Sequence, residues 1–511
     1  MTGSRKDILV GAAAASLSAL WGCSSANTVV PFLNADADAR RGASKDGVYD
    51  VIVVGAGPAG IAATRAVQSA KRSVLVLEAQ DHIGGRCITS NVFPVPFDPG
   101  AQFVAESASL NNFIYPLMQE LGVTLVNGGA LPRVLYDPKT GQAANSYDTI
   151  AFYESFAAVD AALLTAGLAT TLGAPDRTVQ QVLVQNGLQN APYLTLVTDL
   201  LVRAIDAGSP KDQSVLDWYN NAQFIPAAFV FPPMDEFLVP SGYGTFIARL
   251  AKGLPIVTSS PVSKIDLSTN PVTVTAGGTQ YRAKQVIVTA SVNVLKSGTI
   301  EITNLPKSYS AALDGLTMGH GFKAQLEFNG KPFDGHLGVR PGKMFTGLGL
   351  EDKLGIHVFG NYFQEQFPNL PHTYCMIFAE AELGNKLERM GPTNAGKEIC
   401  AALEKPFPGI TAAWTGRILT SSWLTNNYTR GCISYATVGN AGSRVTLSKP
   451  VAKKLWFAGE AISVHSHSFV NGAWASGTAA GYGALFEIGA LTERQLRQLK
   501  AISTSTLRAI T

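Results

Sequence analysis

The stretch Val51 to Gly60, VIVVGAGPAG, leaves few folds open to this chain. Four consecutive apolar residues, Val51, Ile52, Val53 and Val54, predict a buried strand. Gly55, Gly57 and Gly60 then give the spacing G-x-G-x-x-G ahead of an Ala-rich helix, IAATRAVQSA. Gly55 permits a tight turn, Gly57 lets a pyrophosphate approach the backbone, and Gly60 lets the helix lie against the strand. Free N–H groups and the helix dipole then face the phosphates. A second strand, Ser73 to Leu77, ends at Glu78, placed to hold an adenosine ribose through its hydroxyls. Strand, glycines, helix, strand and acid in this order predict an α/β dinucleotide-binding unit.

Composition narrows the remainder. At 511 residues, the chain has room for two or more domains. Its 46% hydrophobic and 15% charged residues suit a globular protein, and a net charge of +3 without basic strips argues against nucleic-acid binding. Cys23, Cys87, Cys375, Cys400 and Cys432 are scattered without a C-x-x-C, so no zinc site or disulfide scaffold is expected. His465 and His467 form an H-x-H pair without companion ligands and read as polar loop residues; no metal is expected.

At the N-terminus, Arg5 and Lys6 precede an apolar run from Ile8 to Gly22 and then Cys23. The run is too short to span a bilayer but suits an export signal. SRKDILVG resembles the twin-arginine export pattern, with Lys6 in place of a second arginine. LWGC resembles a bacterial lipoprotein cleavage box, with an unusually bulky Trp21. The expectation is an exported protein, periplasmic or lipid-anchored, with a cytoplasmic one as the alternative. Residues 24–47 read as a tether.

Two further motifs follow the dinucleotide unit: DHIGGRC, Asp81 to Cys87, and FDPGAQF, Phe97 to Phe103. Here the sequence resembles the flavin-containing amine oxidases, the family of monoamine, polyamine and L-amino-acid oxidases. The resemblance implies FAD, with a Rossmann-like FAD-binding domain interleaved with an α+β substrate-binding domain. In it, Ala59 and Ala79 flank the first motif's contacts, and Gly85 and Arg86 belong to a second phosphate-binding motif in which arginine offsets pyrophosphate charge. The family usually has arginine where His82 stands. Ala101, Gln102 and Phe103 resemble the segment that runs under the flavin ring. Val262, in the segment Ser241 to Ile265, matches the strand whose backbone meets adenine.

The FAD domain would comprise residues 48–124, 241–313 and 416–490, and the substrate domain 125–240 and 314–415. The first substrate segment reads as helix and loop, with an aromatic and proline-rich patch from Phe224 to Pro233. Residues 491–511 read as a short basic amphipathic helix with Leu496, Leu499 and Ile502 on one side.

Lys323, in MGHGFKAQLEFNGKPF, is by pattern alone an ordinary lysine in a strand. The resemblance makes it the lysine linked through water to the flavin's reactive nitrogen N5. A buried cation there favours the negatively charged reduced ring and guides dioxygen. Cys432, in WLTNNYTRGCISYATVG, falls where monoamine oxidases carry the cysteine bonded to the flavin; relatives that bind flavin noncovalently have other residues there, and both states stay open. LWFAGEAISVHSHSFVNGAWASGTAAG, Leu455 to Gly481, resembles the closing flavin motif. Gly459, Glu460 and Val470 would contact the cofactor, with Glu460 at the ribityl chain, and Gly472 and Ala473 would open a helix whose N-terminus stabilises the reduced ring.

The implied reaction converts an amine to an imine that hydrolyses to a carbonyl compound. Dioxygen, giving hydrogen peroxide, or a cytochrome-type acceptor would take the electrons. The pocket departs from the family: Ile433 and Phe469 stand where monoamine oxidases place two tyrosines. That removes the full aromatic cage and suggests room for a larger, cyclic or secondary amine. After Arg86 the next arginine is Arg133, which weighs against the carboxylate clamp of L-amino-acid oxidases. An L-amino-acid oxidase or flavin desaturase on the same fold, and a non-catalytic flavin-binding scaffold, remain alternatives, and oligomeric state is open.

Overall fold

The last four positions of strand Val48–Val54 are all apolar, a pattern that suits a strand covered on both faces. The computed structural model describes residues 46–105, 114–128, 131–137, 142–145, 150–222, 236–348 and 356–498, and it shows both covers. Ile52 and Val54 pack with Leu75, Leu77, Val286 and Val288 on one face. Val51 and Val53 pack with Val74, Val76 and Ile287 on the other. Five strands run parallel in the order Ile256–Val257, Val74–Leu77, Val48–Val54, Thr279–Val288 and Leu455–Phe457. Strands Val272–Ala276 and Val262–Asp266 extend the sheet antiparallel, and Glu301–Thr303 closes its edge.

Helices Pro58–Ser69 and Val470–Glu487 cover one face, and small residues set their separation. A Cβ on Gly477 would stand 2.0 Å from the Ala59 carbonyl oxygen, and one on Gly481 would stand 2.8 Å from the Ala66 Cβ. The second helix begins at Val470, ahead of the Gly472–Ala473 pair expected to open it.

A second sheet has seven strands in the order Trp414–Thr420, Gly321–Phe328, Thr373–Glu380, His357–Gly360, Phe345–Leu348, Arg133–Asp137 and Gln142–Asn145. Strand Gly321–Phe328 is buried throughout. Phe322, Ala324 and Leu326 pack with Leu387, Ile399 and Leu403 from two helices behind the sheet. The opposite face carries Lys323, Gln325 and Glu327, also buried, so each needs polar partners inside the protein. Glu327 finds Tyr374, Thr415 and Arg417, Gln325 finds the Val95 carbonyl, and the partners of Lys323 lie in the functional site.

Several sequence expectations change here. The boundary at 415/416 cuts strand Trp414–Thr420, which pairs with the second sheet through Ala324↔Thr420 and Leu326↔Ile418. The stretch 125–240, expected as helix and loop, also supplies strands Val126–Asn127, Arg133–Asp137, Gln142–Asn145 and Glu236–Leu238. Several of these pair with segments distant in sequence, so local pattern does not reveal them. Helix Ile150–Thr171 is the one described helix long and apolar enough to cross a bilayer by length and composition. Its Phe152, Phe156, Val159 and Leu163 instead pack with Val182, Val197 and Trp218 in a helical core. In the tail, residues 493–498 are helical. The leader, the Phe224–Pro233 patch, Leu499 and Ile502 lie outside the described residues.

Candidate active site

The first glycine turn is built as its spacing predicts. Gly55 takes φ +102°, and its N–H donates to the Leu77 carbonyl at 2.9 Å. A Cβ on Gly60 would stand 1.9 Å from the Gly55 carbonyl oxygen, so a side chain there would push the helix off the strand. Gly57 faces the second glycine motif: a Cβ on Gly85 would lie 3.2 Å from the Gly57 Cα. Glu78 is buried, and both its oxygens already accept backbone N–H groups, from Ala56 at 2.6 Å and Gln80 at 2.9 Å. Those bonds fix the carboxylate at the cavity wall and leave further lone pairs for a ribose.

Arg86 joins the second glycine loop to the turn that follows strand Leu455–Phe457. Its Nη1 donates to Glu460 Oε1 at 2.8 Å and to the Cys432 carbonyl at 2.6 Å. Burial alone would raise the Glu460 carboxyl, but the Arg86 guanidinium and the Ser434 hydroxyl outweigh it and hold it below the ordinary carboxylate range. The other Glu460 oxygen accepts from the Ser434 hydroxyl at 2.7 Å and the Ser468 N–H at 3.1 Å. Glu460, expected at the ribityl chain, is thus also the centre of an internal network.

Lys323 reaches from the second sheet toward the FDPGAQF segment. Its Nζ donates to the Gly100 carbonyl and to Gln102 Oε1, each at 2.7 Å, and lies 5.3 Å from the ring centroids of Phe103 and Phe378. Phe378 stands directly opposite Lys323 in the strand register. Cys432 sits beside Gly321, where a Cβ would meet its Sγ at 2.8 Å. Burial pushes the Cys432 thiol up to about 11, against the pull of Arg86 and Lys323.

Phe469 precedes the helix Val470–Glu487 and follows Ser468, a non-glycine residue at φ +71°. Such a conformation persists where the surroundings impose it. Here the Ser468 N–H donates to Glu460, and its hydroxyl donates to Asp206 at 2.9 Å. Two buried carboxylates therefore set where the Phe469 ring stands.

Sequence reading missed most of this network. Arg444 and Asp217 form a fully buried two-pronged pair at 2.8 and 2.9 Å. Burial would raise Asp217, but Arg444 overrides it and lowers the carboxyl to about 2. His467, expected as a polar loop residue, is completely buried, with Nε2 3.4 Å from Asp206 and 3.5 Å from Asp217. Only the tertiary fold brings these groups together, and no local signal marks them. Among the described residues no cluster of side chains suits a metal ion.

One cavity of about 390 Å³ joins these parts. Its lining includes Gly55, Gly57, Ala59, Glu78, Ala79 and Val262, and also Gly85, Arg86, Ala101, Gln102, Gly459 and Glu460. Lys323, Phe103, Cys432, Ile433, Phe469, Val470 and Ala473 line it as well. Of the candidate residues Gly60 and Gly472 lie off the wall, where both serve close packing: a Cβ on Gly472 would stand 1.8 Å from the Ser466 carbonyl oxygen. Helices Pro58–Ser69 and Val470–Glu487 both present N-termini without side-chain caps, and Pro58, Val470 and Asn471 line the cavity. Uncapped N–H groups of two helices, bare glycine backbone and a buried lysine on the wall of one cavity fit a dinucleotide whose ring gains negative charge on reduction.

Fold and site together define a flavoprotein oxidoreductase with interleaved nucleotide and substrate sheets. Residues 58–481 match the family described as flavin containing amine oxidoreductase, and the chain belongs to that family. Probable polyamine oxidase 4 of Arabidopsis thaliana is 28% identical, over 84% of this chain and 86% of its own length. Among solved structures, a cyclohexylamine oxidase from Brevibacterium oxydans IH-35A aligns with TM-score 0.71 at 19% identity, covering 86% of this chain and 100% of its own. A putrescine oxidase bound to putrescine aligns with TM-score 0.69 at 20% identity, covering 85% and 98%. The protein is therefore an FAD-dependent amine oxidoreductase that oxidises a C–N bond.

Proposed function

We propose that the substrate is an apolar monoamine, cyclic or secondary, and that FAD is held without a covalent bond. The apolar share of the cavity lining carries the first reading. Leu200, Ile205, Phe359, Phe378, Ile433 and Phe469 are apolar there. Among the described residues the acids on the cavity wall are Glu78 and Glu460, both engaged by backbone N–H groups, Arg86 or Ser434. The distal ammonium of a diamine would meet no carboxylate and would lose its hydration without compensation. Relatives are named for polyamines, putrescine and cyclohexylamine; this lining favours an amine like the last.

When bound, FAD supplies the redox chemistry: it accepts a hydride equivalent from the carbon next to nitrogen and passes the electron pair to dioxygen, giving hydrogen peroxide. The protein's own groups orient and select. Phe469 and Ile433 form a wall with one aromatic ring instead of two, which leaves width for a ring or an N-alkyl group. The Lys323 ammonium, fixed by two carbonyl oxygens, disfavours a second cation in the same cavity, so the amine binds neutral. Apolar walls keep water from the amine nitrogen until the product imine leaves.

The thiol of Cys432 supports noncovalent retention. A sulfur attacks as thiolate, and burial makes that form scarce at neutral pH. Acid precipitation of the holoenzyme is expected to leave the yellow colour in the supernatant; colour fixed in the pellet would overturn this reading. A panel of cyclic, N-alkyl and linear monoamines beside putrescine and spermidine tests substrate class. We expect kcat/KM higher for the cyclic or N-alkyl monoamines by about 100-fold, the scale of one uncompensated buried polar group. Preference for the diamines would reject the proposal. The leader motif supports export, tested by recovering activity from the periplasm or membrane instead of the cytoplasm.

A further inference from the structure

Lys323 stands on a buried strand, and its Nζ lies 5.3 Å from the ring centroids of both Phe103 and Phe378. Nothing in its own sequence fixes where the ammonium comes to rest. Two partners do so. One is the Gly100 carbonyl, held by the backbone: Trp423 Nε1 donates to the neighbouring Pro99 carbonyl at 2.8 Å, and a Cβ on Gly100 would strike the Arg86 carbonyl oxygen at 1.9 Å. The other is a side chain, Gln102, 2% exposed. Lysine can only donate, so the amide oxygen of Gln102 must face Lys323 and its NH2 must face the other way. That NH2 meets the Tyr362 hydroxyl at 2.6 Å. Tyr362 is 1% exposed and packed against Phe363, with ring centroids 4.4 Å apart.

We propose that Gln102 and Tyr362 are positioning residues for Lys323: Tyr362 fixes the Gln102 amide so that its oxygen holds the lysine ammonium at the cavity wall. Gln102 and Lys323 both line the cavity, whereas Tyr362 lies behind it and acts only through Gln102. Removing Gln102 leaves the ammonium its contact with Gly100 but takes away the partner that defines its direction. Removing only the Tyr362 hydroxyl leaves the partner and loosens its orientation. Burial holds the Tyr362 hydroxyl well above its ordinary value, so it stays protonated and accepts from the Gln102 NH2 throughout the working pH range. The inference rests on the flavoprotein reading of the site.

The test uses the holoenzyme and five variants: Gln102→Met, Tyr362→Phe, Lys323→Met, and each of the first two combined with Lys323→Met. Stopped flow measures flavin reoxidation, and a redox-dye titration measures the flavin midpoint potential. Gln102→Met should slow reoxidation about tenfold and lower the two-electron potential by up to about 30 mV, the equivalent of tenfold in the reduction equilibrium. Tyr362→Phe should act in the same direction and less strongly. Neither should change anything further once Lys323 is Met. If the Gln102→Met effects persist in full in the Lys323→Met background, or if potential and reoxidation are both unmoved, the proposal fails while the amine oxidoreductase reading stands. A folded protein that takes up no FAD would overturn both. Should Gln102→Met not fold, Tyr362→Phe alone, with and without Lys323→Met, decides the matter by the same criterion.

Discussion

Arg86 and Glu460 lie 374 positions apart in sequence and meet at 2.8 Å, with the Cys432 carbonyl accepting from the same guanidinium nitrogen at 2.6 Å. One arginine thereby ties the second glycine loop to the turn that follows strand Leu455–Phe457 and to the segment carrying Ile433. Replacing Arg86 with Gln should weaken FAD binding about 10- to 100-fold, the range expected for hydrogen bonds to a charged group. Isothermal titration of apoprotein with FAD measures this.

The same pair makes stability depend on pH. Glu460 has its folded-state carboxyl lowered, so its contribution is complete above the unfolded value of 4.5 and is lost as pH falls through the folded one. Glu460→Gln should therefore be less stable than the parent at pH 7, by about 3 kcal/mol for a buried pair broken on one side. The difference should narrow below pH 4.5. Urea unfolding of the two apoproteins across pH 3 to 7 follows it.

Asp217 offers a sharper case because its pair with Arg444 is wholly buried. Asp217→Asn leaves a buried guanidinium without its counter-charge and should cost about 3–5 kcal/mol at pH 7. The parent's own pH-dependent share from this group should fade between pH 3.8 and 2, the unfolded and folded values of Asp217. Thermal or urea midpoints that match between the two proteins at pH 7 would remove the pair from the account.

Lys323→Met should slow flavin reoxidation more than it weakens FAD binding, because the side chain lines the cavity without belonging to the phosphate cradle. Separate measurement of the reductive and oxidative half-reactions, together with the FAD dissociation constant, checks this. A variant with unchanged half-reactions would remove the lysine's assigned role.

Ile433→Tyr adds a second ring to the cavity wall that Phe469 also lines, and narrows the cavity. It should lower kcat/KM for cyclic or N-alkyl amines about tenfold or more and spare small primary amines, since pocket volume differences of this size discriminate on that scale. Steady-state kinetics on one amine of each kind measures the ratio.

What the sequence revealed of this site depended on how locally each feature is encoded. Gly55, Gly57 and Gly60 carry their meaning in a ten-residue window, because the backbone conformation itself demands the residue type, and their geometry followed the spacing. Lys323 was readable only through a resemblance, since a lysine in an alternating strand looks solvated until Gly100, Gln102, Phe103 and Phe378 close over it. The partners of Glu460 could not be read at all: Arg86, Ser434 and Ser468 come from three separate segments, and their pairing is a property of the assembled sheets. His467 misled for the same reason. In sequence it sits in a polar loop; in the fold that loop is pressed against Asp206 and Asp217. The boundary at 415/416 failed because strand Trp414–Thr420 takes its identity from pairing with Gly321–Phe328, almost a hundred residues earlier.

Anaerobic mixing of the purified yellow holoenzyme with the amine panel, followed by visible absorbance, tests the central claim most directly. The account predicts rapid bleaching of the flavin band by cyclic or secondary monoamines and return of the band when dioxygen is admitted. A flavin band that no amine bleaches would contradict it.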